Sequence, residues 1–563
     1  MLKIFYSIAE KIQKKDIYIY GINRDSMAVF TKLAFLGGDI EGFIDITRRF
    51  VGEYFMNRPI ISIEQINNLP NAIVIAPDVI EKSVVKETIG IDAEVFYYGE
   101  ILFPNNELKE KDVYIYGIGG YGEKVYEQCR ECGIKIKAVC VTKIGNITVW
   151  NDLPVLGIDE VNEQDDCAFV IATIRSAYRK QMLETLSNYR GDKYVFNYML
   201  PHHISEGRLF QVIGRAVSEH KKIWLYGKNE ELAEKIIEIL TRYFVEIQGK
   251  ISDLYDLAYG SIEDIVVIIT ENDEYEVEQA CDILDSLGFA LEHWNYTSLA
   301  CETIKYKLRV KSASDLLLRW SYVSNDTKYP GFIVYGNNNR QNIKIMVVGS
   351  STSTDGIYRT KSWVNLFYQK LRSENYQVTV YNGAVCGHGV ARELLHLLRD
   401  GAYMELDYVI TLSGVINVVD HGIKNYFSGD LGDENNDFIC GLESKESLYE
   451  FWVRNIKIMK SVAELYGARF YSFLQPMAVK EEMSLFEAVM HETLKCRKGM
   501  LEFRELASQE EKRIYVNAID YLDKESDMYI DNCHYSNKAN KLIADFVYKA
   551  MIKEEGTLKK KKR

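Results

Sequence analysis

One short motif written three times constrains this chain more than any other feature. Ile17-Tyr-Ile-Tyr-Gly-Ile22 recurs as Val113-Tyr-Ile-Tyr-Gly-Ile118 and, more loosely, as Ile223-Trp-Leu-Tyr-Gly227. Each copy is a β-rich apolar run that stops at a glycine, which reads as a buried strand ending in a tight turn. Further along each copy comes a second mark: Asn71-Ala-Ile-Val-Ile-Ala76, Cys167-Ala-Phe-Val-Ile-Ala172 and Ile265-Val-Val-Ile-Ile-Thr270. An aromatic run closes each: Val95-Phe-Tyr-Tyr98, Val195-Phe-Asn-Tyr198 and His293-Trp-Asn-Tyr296. Between the first two marks lies a helical pattern, in the second copy Glu123-Lys-Val-Tyr-Glu-Gln-Cys-Arg-Glu-Cys132. Strands alternating with helices at this spacing imply βαβ units and a parallel sheet. A period of about one hundred residues is too long for a solenoid, so the repeats are duplicated domains. The spacing places them at 1–110, 111–206 and 207–303.

Domains of this Rossmann-like kind bind nucleotides when the first turn carries glycines and the second strand ends in an acid for the ribose. The second repeat has the glycines, Gly117, Gly119 and Gly122, but reads Val139-Cys-Val-Thr142 where the acid belongs. The first has the acid, Asp45, without the glycines, and the third puts Glu230 and Glu231 where phosphate would sit. No repeat carries a complete site. The two readings left open are structural or docking modules for protein partners, and a residual nucleotide or nucleotide-sugar site at Gly117, Gly119 and Gly122.

A connecting segment, 304–340, contains the turn-forming run Lys328-Tyr-Pro-Gly-Phe332, and the run Gly336-Asn-Asn-Asn-Arg-Gln341 marks its end and the entry to the last domain. The last domain, 341–556, begins with Lys344-Ile-Met-Val-Val-Gly-Ser-Ser351, a buried strand with hydroxyls at its carboxyl end. Ligands bind at that edge of open α/β sheets. A hydroxyl needs a base to become a nucleophile, and the base needs a group that fixes its tautomer. Asp531-Asn-Cys-His534 supplies both. Two glycine-bearing turns lie between them, Asn382-Gly-Ala-Val-Cys-Gly-His388 and Ser413-Gly-Val-Ile-Asn417, each after an apparent strand. Such turns aim backbone N–H groups at an oxyanion.

The order of these pieces resembles the SGNH (GDSL-type) hydrolase superfamily over roughly the last 220 residues. The resemblance implies a three-layer α/β/α domain in which Ser351 is the nucleophile, His534 the base and Asp531 its orienting partner. It also implies an oxyanion hole formed by the backbone N–H groups of Ser351 and Gly387. The family's third block reads Gly-x-Asn-Asp, whereas Gly414-Val-Ile-Asn417 has Ile416 in the Asn position, so Asn417 serves as third donor only if the loop shifts by one residue. Gln475-Pro476 also looks like a segment of some branches of the family. The three repeats resemble the N-terminal Rossmann-like domain of bacterial sugar-modifying acetyltransferases, which occurs in polysaccharide biosynthesis proteins.

For Ser351 the competing reading is that Ser350 to Thr354 merely cap the next helix, because Ser and Thr are good N-caps. For His534 it is a capping or surface histidine. His202-His203 lies between domains, and His388 and His421 follow glycine-bearing loops without a carboxylate motif, so none offers a better base. His388 lies beside the oxyanion loop and lines a pocket on this reading.

Composition narrows the remaining classes. A formal charge of −13 argues against nucleic acid, which needs a basic face. No apolar run reaches membrane-spanning length and the first residues lack a signal-peptide core, which places the chain in the cytoplasm. Ten cysteines without a framework pattern fit reduced thiols, and Cys129-x-x-Cys132 has no second pair at zinc spacing. The sequence therefore predicts no metal and no cofactor. The basic end at 557–563 reads as a solvated tail.

The resemblance, with these features, implies an SGNH-type serine esterase cleaving an O-acyl ester on a carbohydrate or surface-polysaccharide precursor through an acyl-serine. An O-acyltransferase using the same site, or a non-catalytic scaffold with a degraded oxyanion hole, are the alternatives. The segments 418–446 and 481–510 read as insertions that cap the pocket.

Overall fold

In a computed structural model of the chain, the β-branched runs of the three repeats pair as parallel strands. The structure describes residues 2–559 except 5, 9–11, 13, 78–84, 86–93, 98–100, 105, 144, 146, 162–166, 174–175, 196–207, 272–273, 300–310, 316–318, 324–330, 416–417, 419–446 and 511–513. Two compact units divide it, one of residues 1–290 and 294–304, the other of 291–293 and 305–563.

In the first unit each repeat builds its own sheet. The first orders its parallel strands Arg58–Ile61, Ile40–Ile44, Asp16–Tyr20, Ala72–Ala76 and Glu94–Tyr97. Numbered along the chain that is 3-2-1-4-5, the order of a dinucleotide-binding sheet without its sixth strand. The second repeats it with Leu153–Gly157, Ile136–Val141, Asp112–Tyr116, Cys167–Ile171 and Asp192–Val195. Leu2–Ile4, from the start of the chain, adds a parallel edge strand against Asp192–Val195. The third repeat has only Ile247–Ile251, Lys222–Tyr226, Ile265–Ile269 and Tyr296–Ser298.

Its closing strand starts later than the aromatic run His293-Trp-Asn-Tyr296 predicts. Leu291–His293 make one 3-10 turn, and Trp294 takes a left-handed backbone at φ 60°, a conformation no strand accommodates. The first and third repeats pack through aromatic rings. Phe30 meets Phe210 and Tyr243 at ring-centroid distances of 5.0 Å each, and Asn57 Nδ2 donates to the Tyr243 carbonyl at 2.9 Å.

The second unit contains a six-stranded sheet. Its parallel strands are Ile343–Gly349 (β1), Val378–Asn382 (β2), Tyr408–Ser413 (β3), Arg469–Leu474 (β4) and Val516–Asn517 (β5), ordered β2-β1-β3-β4-β5. Ile333–Tyr335 pairs antiparallel with the outer edge of β2. β1, β2 and β3 are buried throughout, as expected of strands covered on both faces.

Helices Trp363–Ser373 (α1) and Asn537–Glu555 (α6) cover one face, with Trp363, Phe367, Ile543 and Val547 in its core. Val390–Asp400 (α2), Leu448–Leu465 (α3) and Leu494–Gln509 (α5) cover the other, with Leu397, Trp452, Ile456 and Phe503 buried against the sheet; the short Leu485–His491 (α4) precedes α5. Ser362, Ser447, Ser484 and Ser536 cap α1, α3, α4 and α6, each accepting an N–H of the first turn. Each such cap contributes on the order of 1 kcal/mol.

The fold is α/β, with several mostly parallel sheets. Among the described residues no helix is long and apolar enough to cross a membrane.

Candidate active site

In the order β2-β1-β3 the connections leaving β1 and β3 run to opposite faces, opening a crevice at the carboxyl ends of those strands. Gly349 ends β1 there. A Cβ on it would lie 2.8 Å from Ser353 Oγ, which is itself held by the Trp363 indole N–H at 2.9 Å, so only glycine fits. Ser351–Ser353 then form one 3-10 turn in which Ser353 N donates to the Ser350 carbonyl at 3.0 Å. The capping alternative for these hydroxyls is not what is seen: the next helix, α1, begins at Trp363 and takes its cap from Ser362.

The segment leading into α6 is a narrow hairpin. Tyr529 bridges Tyr535, and Ile530 N donates to the His534 carbonyl at 2.9 Å. Inside it Asp531 turns back on its own backbone, with Oδ1 accepting from Cys533 N at 2.9 Å and His534 N at 2.8 Å. This is the local Asx geometry that short acidic side chains favour. It leaves Oδ2 aimed at the ring, 2.7 Å from His534 Nδ1. His534 Nε2 lies 2.8 Å from Ser351 Oγ across 183 residues of chain. Ser351 and His534 are each 6% exposed and Asp531 2%.

With a carboxylate on Nδ1, the hydrogen-bond pattern assigns the neutral ring's proton to Nδ1 and leaves Nε2 to accept from Ser351. The structure thus brings Ser351, His534 and Asp531 within hydrogen-bond distance in the order that activates a nucleophile.

Gly387 lies in the loop after β2. Val385 N donates to the Gly349 carbonyl at 3.0 Å, Thr354 Oγ1 to the Ala384 carbonyl at 3.0 Å and Asn382 Nδ2 to the Ser353 carbonyl at 2.8 Å. These bonds lash the loop to the Ser351 turn. Gly387 has φ 74°, a backbone that favours glycine. The N–H groups of Ser351 and Gly387 donate to no described group. Asn417, with Ile416, lies outside the described residues, as do His202, His203, His421, all but the first residue of the insertion at 418–446, and most of the basic tail. His388 is 1% exposed and lies in the core beside the loop.

Two further side chains brace the site, and the first of them has no sequence motif. Tyr358 donates its phenol proton to Asp531 Oδ2 at 3.0 Å, and its ring stands edge-on to His534 at 5.7 Å. Tyr358 and Arg359 are consecutive left-handed residues, at φ 47° and 63°. Strain of this kind collects where a side chain must be aimed. Gln475 accepts from Val415 N at 3.3 Å and donates to the Tyr535 hydroxyl at 3.2 Å, joining the loop after β3 to the histidine hairpin. Only the Gln475-Pro476 segment gave a signal for this in the sequence.

The repeats differ in how their first turns are filled. Asp45, the acid of the first, is 3% exposed and consumed by its own loop, accepting from Thr47 N at 2.9 Å and Phe50 N at 2.6 Å. In the third, Glu271 accepts from Lys228 N and so occupies the turn with a carboxylate of the chain itself. In the second, a Cβ at Gly119 would meet nothing within 4 Å, whereas one at Gly122 would lie 2.2 Å from the Gly117 carbonyl oxygen. Gly122 therefore closes the turn, and Gly119 leaves open space beside the start of the helix Gly120–Glu131. Cys129 is wholly buried in the second repeat's core, and burial pushes its thiol up to about 12, as it does for Cys140. Cys129 packs as a core residue.

No known family model matches the chain, and no curated protein matches it. Among solved structures it is similar to the psychrotrophic esterase EstA from Pseudoalteromonas sp., at 15% identity and TM-score 0.25 over 38% of this chain and all of that one. It is also similar to the acetyl xylan esterase AlAXEase, at 14% identity and TM-score 0.27 over 37% of this chain and 100% of that one. A putative GDSL-like lipase from Parabacteroides merdae matches at 13% identity and TM-score 0.26 over 38% of this chain and 98% of that one. At this level of likeness the three structures say nothing of the chain's activity or substrate.

Proposed function

We propose that the second unit is a serine esterase of the SGNH type, cleaving an O-acyl ester through an acyl-serine. One observation carries the reading: Asp531 Oδ2, His534 and Ser351 Oγ form an unbroken line of contacts of 2.7 and 2.8 Å in a buried crevice. Nε2 of His534 takes the Ser351 proton as Oγ attacks the ester carbonyl. Asp531 holds the imidazolium that results. The N–H groups of Ser351 and Gly387 receive the oxyanion, and each well-placed donor of this kind is worth about 3 kcal/mol of barrier. His534 then returns the proton to the leaving alcohol. Water attacks the acyl-serine with the same base, releasing the acid.

A carbohydrate or surface-polysaccharide precursor in the cytoplasm is the proposed substrate, supported by the resemblance of the three repeats to domains of sugar-modifying enzymes. An acceptor hydroxyl in place of water turns the same site to acyl transfer. The open space at Gly119, in the first turn that Gly117 begins, supports a nucleotide-linked sugar as the group the second repeat holds.

Hydrolysis of p-nitrophenyl acetate by the full chain, with and without a sugar acceptor, tests the reading against Ser351→Ala. Turnover by the wild type with loss on the order of 10⁴-fold or more in the variant is the expected result. Equal rates in the two proteins refute the esterase. Product partition toward the acylated sugar selects transferase over hydrolase.

A further inference from the structure

Cys533 separates the carboxylate from the imidazole in sequence, lies beside both in space, and takes no part in the steps above. Its sulfur is in no disulfide among the described residues, and the residue is 4% exposed. Its Sγ lies 3.5 Å from His534 Nδ1, Nδ1 lies 2.7 Å from Asp531 Oδ2, and the three ligand-type atoms all fall within 4.8 Å of one another. A tetrahedral zinc ion, with Zn–S about 2.3 Å and Zn–N about 2.0 Å, holds its sulfur and nitrogen about 3.5 Å apart. One edge of that tetrahedron is therefore already in place. Its nitrogen–oxygen edge is about 3.3 Å, so the Asp531–His534 contact opens by roughly half an ångström to admit the ion.

The surroundings match a metal site too. Asp531 is held by two backbone N–H groups and the Tyr358 hydroxyl, and the second nitrogen of His534 is engaged by Ser351. Ligands oriented by partners of this kind are what metal centres require. A thiolate, an imidazole and one carboxylate select a borderline-soft cation over Mg²⁺ or Ca²⁺.

We propose that Asp531, Cys533 and His534 form an inhibitory site for Zn²⁺, with water as fourth ligand. That it inhibits rests on the esterase reading; that it binds does not. Ligation takes the Nδ1 lone pair, so the ring's proton moves to Nε2, and the thiol gives one proton to solvent. Nε2 then carries a hydrogen and donates to Ser351 instead of accepting from it. The nucleophile loses its base while Ser351 stays in place.

The test uses the full chain, Zn²⁺ and Co²⁺ salts, Cys533→Ser and Cys533→Ala. The expected result is one Co²⁺ per chain with a thiolate-to-cobalt charge-transfer band in the near ultraviolet that both variants lack. Esterase turnover should be lost reversibly on adding Zn²⁺ and restored by EDTA. Both variants should keep their turnover and resist Zn²⁺ at concentrations at least about tenfold higher. Absence of the band in wild type, or equal zinc sensitivity in wild type and both variants, overturns the proposal. Should the chain hydrolyse no ester at all, the cobalt spectrum still decides the binding site, so failure of the esterase reading and failure of the metal site are told apart.

Discussion

Glu393 offers the sharpest quantitative expectation. It sits in the first turn of α2, 1% exposed, with Oε2 accepting from Thr411 Oγ1 at 2.7 Å and Oε1 without a hydrogen-bond partner among the described residues. Burial pushes its carboxyl up to about 8, and the hydroxyls of Thr411 and Ser413 offset only part of that. No cation contributes. The folded chain therefore keeps a proton here that the unfolded chain gives up near 4.5. Between those values the native state binds more protons, so stability falls as pH rises. The contribution is present in full below the unfolded value and lost through the folded one.

At about 1.4 kcal/mol per pH unit for one proton, that window has a ceiling of roughly 5 kcal/mol. Relaxation of the site as it charges brings the expected loss to about 2–3 kcal/mol. Glu393→Gln keeps the shape and removes the ionisation. Urea unfolding followed by tryptophan fluorescence at pH 5, 7 and 9 measures it, since Trp452 Nε1 donates to Ser413 Oγ at 3.0 Å in the same cluster. The wild type should lose about 2–3 kcal/mol from pH 5 to 9 and the variant well under 1. Parallel pH dependence in the two proteins would refute the assignment of a neutral buried acid.

Substitutions at three further positions probe the site. Asp531→Asn should lower kcat on the order of 10³–10⁴-fold by favouring the wrong imidazole tautomer, read from p-nitrophenyl acetate kinetics with an unchanged fold by circular dichroism. Tyr358→Phe, which loses one hydrogen bond to Asp531, should cost about 3–10-fold in kcat with KM unchanged and about 1 kcal/mol or less in stability; equal loss in Tyr358→Leu and Tyr358→Phe would tie the effect to the hydroxyl. Gly349→Ala places a Cβ 2.8 Å from Ser353 Oγ, so it should destabilise the second unit by about 1–3 kcal/mol in thermal melts and move Ser351 enough to lower kcat.

What the sequence made legible follows from the range of the interactions involved. Ser351 at the end of an apolar run, and Asp531 and His534 three residues apart, are local patterns, and the contacts among them lie where block order suggests. Tyr358 could not be read, because its position depends on two successive left-handed residues and a carboxylate 173 residues away. Leu2–Ile4 joining the sheet of the second repeat is likewise invisible, since parallel pairing over such a separation leaves no periodic trace. Asp45 was legible as an acid at the end of a strand, but not that Thr47 and Phe50 would consume it. The late closing strand of the third repeat turns on one residue, Trp294, whose left-handed backbone no propensity announces.

The distance in sequence between Ser351 and His534 is closed by helix packing. α1 and α6 lie side by side on one face of the sheet, sharing a core of Trp363, Phe367, Ile543 and Val547. The Ser351 turn leads into α1 and the Asp531 hairpin leads into α6, so each loop sits just ahead of its helix's N-terminus. Those N-termini are tied directly, with Lys361 N donating to Asn537 Oδ1 at 3.1 Å. Burying the helix pair therefore sets the Ser351–His534 separation, and the hydrogen bond between them contributes little of the energy that holds it. A fold organised this way lets the polar line from Asp531 to Ser351 be tuned for reactivity, because the large apolar interface beneath it already fixes where its two ends stand.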